Sequence, residues 1–119
     1  MPKFMTIVKG SENHPPPPPA LFQAMDGLMK EAGNRLVGVG GLLGSDKGAT
    51  ARLSKGTISV TDGPFTEAKE VIGGFAIYDV ASLDEAKQWT RRFLDLHVEH
   101  YPGWDGEVEI REMMEEPPR

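Results

Sequence analysis

Residues 61–75, TDGPFTEAKEVIGGF, place more positional constraints in fewer residues than any other stretch of this chain. Asp62-Gly63-Pro64 is turn chemistry: Asp bonds its own backbone, Gly permits positive φ, and Pro fixes φ. Thr57-Ile58-Ser59-Val60 before it is β-branched and alternating, which predicts a strand. Val71 to Val80 after it predicts another. Gly73-Gly74 inside that second strand weakens it, because a strand glycine packs no side chain, so the pair marks a bulge or a close backbone approach. Asp62, Glu67, Lys69 and Glu70 crowd the turn between two apolar strands. They form either a solvated turn with weak ion pairs or a polar site at the end of a sheet.

The rest of the chain supplies the elements around this turn. Phe4 to Val8 is apolar on both alternating faces, as in a strand buried on two sides. Gly10 to Asn13 is a turn-rich exit, and Pro15 to Pro19 is an extended polyproline run. The run reads as a stiff spacer whose last proline suits a first helical turn; a ligand for an aromatic groove is the other reading. His14 before it reads as solvated. Leu21, Met25, Leu28, Met29 and Ala32 follow helical spacing and predict a helix over 19–32, stopped by Gly33-Asn34. Leu36 to Leu43 reads as a strand bent or bulged by its glycines. Gly38, Gly40 and Gly41 lack dinucleotide-binding spacing, and no cofactor is expected. Thr50–Leu53 and Thr57–Val60 flank Ser54-Lys55-Gly56 as a hairpin. Ser82-x-x-Glu85 is a capping box that opens a helix over 83–100, with Ala86, Trp89, Phe93 and Leu96 on one stripe and His97 at its edge. Glu107 to Met113 is the last strand, charged on one face.

Strand, helix, strand, inserted hairpin, strand, helix, strand is the ferredoxin-like, split βαβ order of an α+β protein. Two helices shield one face of a four-stranded sheet. The apolar first strand asks for cover on the other, which a second copy in a two-fold homodimer would supply. With 119 residues the chain is expected to form a single domain over 1–119, with little room for a private cavity. A net charge of −5 argues against nucleic-acid binding, and the absence of cysteine excludes disulfides, thiolate metal sites and cysteine nucleophiles. No apolar run reaches the roughly 18–20 residues of a membrane span. No signal peptide is evident, so a cytoplasmic location is expected.

DGPF, followed by TEAKE and GGF, resembles the signature of the YCII-related (DGPF-domain) family of small bacterial proteins. The likeness extends to KFMTIVKG at the start, GVGGLLGS in the middle, and RFLDLH and YPGWDGEVEIR near the end. The resemblance implies a dimeric α+β barrel with clefts between sheets or beside the helices. It also implies a regulatory setting, since family members are often associated with alternative sigma factors.

Four residues are candidates for a site: Asp62, Glu67, Lys69 and His97. An imidazole held by a carboxylate moves protons near neutral pH. His97 paired with Asp62 or Glu67 would suit proton abstraction or lyase chemistry on a small acidic or aromatic compound. The His–Asp dyad proposed in the broader family has its His in the first helix. Residues 19–32 contain no His, so that dyad does not carry over, and Asp62 alone matches the motif. His97-x-x-His100 has metal-ligand spacing but needs a third ligand, such as Glu107 or Asp62; no metal is assigned. No motif supports a serine nucleophile. The rival reading is a non-catalytic, ligand-sensing or interaction module, with Tyr101, Trp104 and the proline run as interface anchors or core seals. A deep pocket holding His97 beside a carboxylate favours the enzyme. A filled cleft, with Asp62 capping its own turn, favours the module.

Overall fold

The computed structural model describes residues 1–64 and 71–115. Its elements are β1 (Lys3–Gly10), α1 (Pro19–Ala32), β2 (Leu36–Gly41), β3 (Ala49–Ser54), β4 (Thr57–Asp62), β5 (Val71–Asp79), α2 (Leu83–His100) and β6 (Gly106–Glu112). Four strands form one antiparallel sheet in the order β2-β5-β1-β6, and β3 pairs with β4 apart from it. Each βαβ unit therefore holds a strand of the other between its own two. This is the ferredoxin-like α+β arrangement with an inserted hairpin that the order of elements predicts.

Both helices begin and end where local chemistry requires. Pro19 opens α1, and Gly33, with φ of 55°, closes it by donating its N–H to the Met29 carbonyl. Ser82 Oγ accepts the Glu85 N–H at 3.2 Å, while Glu85 Oε1 accepts the Ala81 N–H at 3.4 Å, one residue before the usual capping-box donor. Among the described residues, no helix is long and apolar enough to cross a membrane.

The glycines of β2 and β5 do what the sequence asks of them. The β1–β5 register shifts between Val8, opposite Gly74, and Lys9, opposite Ile72, so Gly73 is an extra residue in a bulge. A Cβ on Gly74 would lie 2.9 Å from the Gly40 carbonyl oxygen, so this position is also a close backbone approach. The β2–β5 register slips at Val37, between Leu36 and Gly38. Strand β2 ends at Gly41, two residues short of the predicted Leu43.

Register fixes what stands on the face beneath the helices. One row across the sheet is Leu36, Tyr78 and Phe4; the next is Val39, Ala76, Thr6 and Ile110; the next is Gly41, Gly74, Val8 and Val108. Side-chain bulk tapers along that series. At the bulky end lies the core of Phe4, Leu28, Ala32, Tyr78, Val80, Ala86 and Trp89. Trp89 stacks on Tyr78 at 6.2 Å, with Arg92 and Arg35 over its ring at 5.0 and 5.9 Å. Arg92 also pairs with Glu31, tying α2 to α1.

The opposite face carries Met5, Ile7, Phe75 and Ile77, all half-buried. Gly40 leaves room for the Phe75 ring and Gly38 for Ile77. Lys9, Glu109 and Arg111 edge this apolar stripe, with ion pairs of 2.7 and 2.9 Å.

The β3–β4 hairpin turns through Lys55 and Gly56, both at positive φ, as a tight two-residue connection requires. Pairing puts Ala51, Val60, Leu53 and Ile58 on one face and Thr50, Thr61, Arg52 and Ser59 on the other. The polar face looks onto a groove against segment 41–48, and the apolar face is exposed. The radius of gyration, 16.3 Å, exceeds the roughly 13.5 Å of a compact chain of this length, in keeping with a projecting arm. Gly63 donates its N–H to the Gly48 carbonyl at 2.8 Å, and a methyl there would overlap the Ser45 carbonyl oxygen. The glycine after Asp62 thus serves a close approach between chain segments.

Candidate functional site

Where the sheet tapers to Gly41, Gly74 and Val8, none of the described residues fills the space under the helices. A cleft of about 610 Å³ opens there, within the ~300–1,000 Å³ of small-molecule sites. The first turns of α1 supply Leu21, Phe22 and Met25 to its wall, and the last turns of α2 supply Thr90, Phe93 and His97. Tyr101 and Trp104 close the end, and Ser11, Glu12 and His14 line the mouth.

His97 is the centre of the polar end. It is 8% exposed, more buried than its place at the stripe edge predicts. Its Nδ1 donates to the Phe93 carbonyl at 3.0 Å, so the neutral ring carries its proton there and presents Nε2 as an acceptor. Burial pushes its pKa below the ordinary histidine value, a shift the Phe93 bond partly opposes. Phe93 and Trp104 each lie 4.6 Å from the imidazole, centroid to centroid, and Tyr101 lies 6.3 Å away. The Tyr101 hydroxyl donates to the Pro15 carbonyl and accepts from His14 Nδ1 at 2.9 Å. That pair of bonds pins the start of the proline run across the cleft mouth. Burial raises the Tyr101 pKa, so the phenol keeps its proton.

The predicted site residues fall in different places. Asp62 lines the groove beneath the arm, outside the His97 cleft, and no hydrogen bond or ion pair joins the two among the described residues. Glu67 and Lys69 lie outside the described residues. His100 pairs with its neighbour Glu99 at 3.7 Å instead of converging with His97. Among the described residues, no three His, Asp or Glu side chains cluster as a metal site.

His14, Tyr101 and Trp104 are the site residues that sequence reasoning did not place there. His14 reads as solvated because a proline run follows it, yet it bonds across 87 positions to Tyr101. A signal was available: four aromatic or imidazole side chains, His97, His100, Tyr101 and Trp104, fall within eight residues at a helix end, and all but His100 line the cleft.

Fold and cleft define a ferredoxin-like α+β protein with one amphipathic pocket between its helices and sheet. The chain belongs to the YCII-related family: the sequence model of the YCII-related domain matches residues 3–114. It is also 48% identical over 61 residues to an uncharacterised protein of Rhizobium meliloti (strain 1021), a stretch covering 51% of this chain and 48% of that protein. The chain spans about half the length of the curated relative it matches.

Proposed function

We propose that this protein binds a small, mainly apolar molecule in the His97 cleft and acts as a ligand-binding homodimer. The observation that carries the reading is a neutral imidazole, its Nε2 unpartnered among the described residues, on the wall of a mainly apolar cavity. A carbonyl, not a carboxylate, orients that ring. A carbonyl sets the tautomer but stabilises an imidazolium less than an anion does. This favours binding without turnover, as in a sensing or regulatory module, over the acid–base enzyme. In the enzymatic form of the proposal, Nε2 takes a proton from the bound molecule. The test is calorimetric titration with uncharged bicyclic aromatics such as 2-methoxynaphthalene. Wild type should bind, and Gly41→Phe, whose Cβ meets nothing within 4 Å, should fill the floor and abolish binding with the fold retained. Equal binding by both proteins overturns the assignment to this cleft.

Two uncovered apolar surfaces support the homodimer. Among the described residues, the sheet face of Met5, Ile7, Phe75 and Ile77 has no helix over it. The arm exposes Leu53 and Ile58 at 72% and 73%, and an isolated two-stranded hairpin is marginal in water. A two-fold axis lets one contact repeat on both subunits and covers these surfaces without another partner. Sedimentation at micromolar concentration should give a dimer, which Phe75→Glu dissociates. A monomeric wild type refutes this part of the proposal.

A further inference from the structure

The cleft's hydrogen-bonding polarity narrows the class of ligand, an inference that rests on the ligand-binding reading above. Five buried side chains with polar groups line the cavity: Thr6, Tyr78, Thr90, His97 and Tyr101. All but Tyr78 have their proton committed inside the protein. Thr6 Oγ1 donates to the Ala76 carbonyl at 3.0 Å, and Thr90 Oγ1 donates to the Ala86 carbonyl at 2.9 Å. His97 Nδ1 donates to the Phe93 carbonyl, and the Tyr101 hydroxyl donates to the Pro15 carbonyl. What these four groups can offer a ligand is lone pairs. Among the described lining residues, Tyr78 at the core end, Ser11 at the mouth and the half-buried Trp104 indole carry side-chain N–H or O–H protons not accounted for by these bonds.

Charge points the same way. Among the described residues lining the cleft there is no Lys or Arg, and the one charged side chain is Glu12 at the mouth, whose Oε1 accepts the Ser45 N–H at 3.0 Å. A carboxylate or phosphate entering this cavity would lose its water without gaining a cation. The small acidic compounds suggested by the sequence are therefore poorly matched to it.

We propose that the cleft selects an uncharged, mainly apolar molecule that carries a hydroxyl donor, a phenol or alcohol, with its O–H directed to His97 Nε2. An ether of the same shape leaves that acceptor unmatched, and a carboxylate adds an uncompensated charge. Both fit the volume but bind more weakly.

The experiment compares three probes of one ring system by calorimetry near pH 7.5: 2-naphthol, 2-methoxynaphthalene and 2-naphthoate. Wild type should bind 2-naphthol about tenfold more tightly than the ether, the worth of one neutral hydrogen bond, and should bind the carboxylate least. His97→Phe keeps an aromatic ring but offers no acceptor, and should bind 2-naphthol and the ether alike. The wild-type ranking decides the matter by itself if that variant does not fold. Binding of naphthol and ether with equal strength, or a preference for the carboxylate, overturns the donor assignment and leaves the cleft as a binding site. If no probe binds, the ligand-binding reading fails and takes this inference with it.

Discussion

Gly73 and Gly74 are neighbours in β5, yet adding one methyl to each should have opposite effects. At Gly74 the methyl would sit 2.9 Å from the Gly40 carbonyl oxygen and 3.5 Å from Gly41 Cα. Both obstacles are backbone, so no side chain can swing away. Strands β2 and β5 must part locally, straining the ladder where Gly41 faces Gly74. Overpacking of this kind costs about 1–3 kcal/mol, and the lower chain entropy of Ala in the unfolded state offsets up to about 1 kcal/mol. Gly74→Ala should therefore lose about 1–2 kcal/mol net. At Gly73, the bulged residue, a Cβ meets nothing within 4 Å and φ is not positive. Gly73→Ala should thus gain about 0.5–1 kcal/mol. The two variants should differ by about 1.5–3 kcal/mol, or roughly 6–12 °C in Tm for a chain of this size. The assay is urea and thermal unfolding followed by tryptophan fluorescence, at one protein concentration so that any self-association is held fixed. Equal stabilities for the two variants would refute the register and the close-approach argument together.

Three further outcomes are expected. Because burial lowers the pKa of folded His97, the unfolded chain takes up that proton first as the pH falls; stability should be level above the unfolded value of about 6.5 and decline below it. His97→Phe should remove that part of the decline, read as a smaller loss of urea midpoint between pH 7.5 and pH 5; an unchanged slope counts against a buried neutral His97. Ser82→Ala removes the acceptor for the Glu85 N–H and should cost about 0.5–2 kcal/mol in chemical denaturation, with the helix start fraying first in hydrogen exchange. Tyr101→Phe removes the hydroxyl that holds Pro15 and His14, and should cost about 1 kcal/mol while raising protease cleavage in residues 11–18; wild-type cleavage rates would argue against a pinned strap.

Local chemistry wrote much of this fold into the chain. The helix bounds 19–32 and 83–100 follow from a proline, a glycine and a capping pair, all of which act within a few residues. The hairpin, the bulge at Gly73 and the ferredoxin-like strand order follow from turn residues, strand glycines and the succession of elements. None of these needs knowledge of distant contacts.

The cleft was different. Its existence depends on which residues of β2, β5, β1 and β6 share a row, and a one-residue slip in register would send a different set of side chains to the helix face. Only pairing across the sheet brings Gly41, Gly74 and Val8 together and empties that end of the sandwich. For the same reason His14 and Tyr101, far apart in the chain, meet at the cleft mouth, while Asp62 lines a separate groove. Helices and turns are set by interactions between near neighbours, which a sequence displays. A cavity is the space that many remote side chains leave unfilled, and it takes shape only when the sheet has closed.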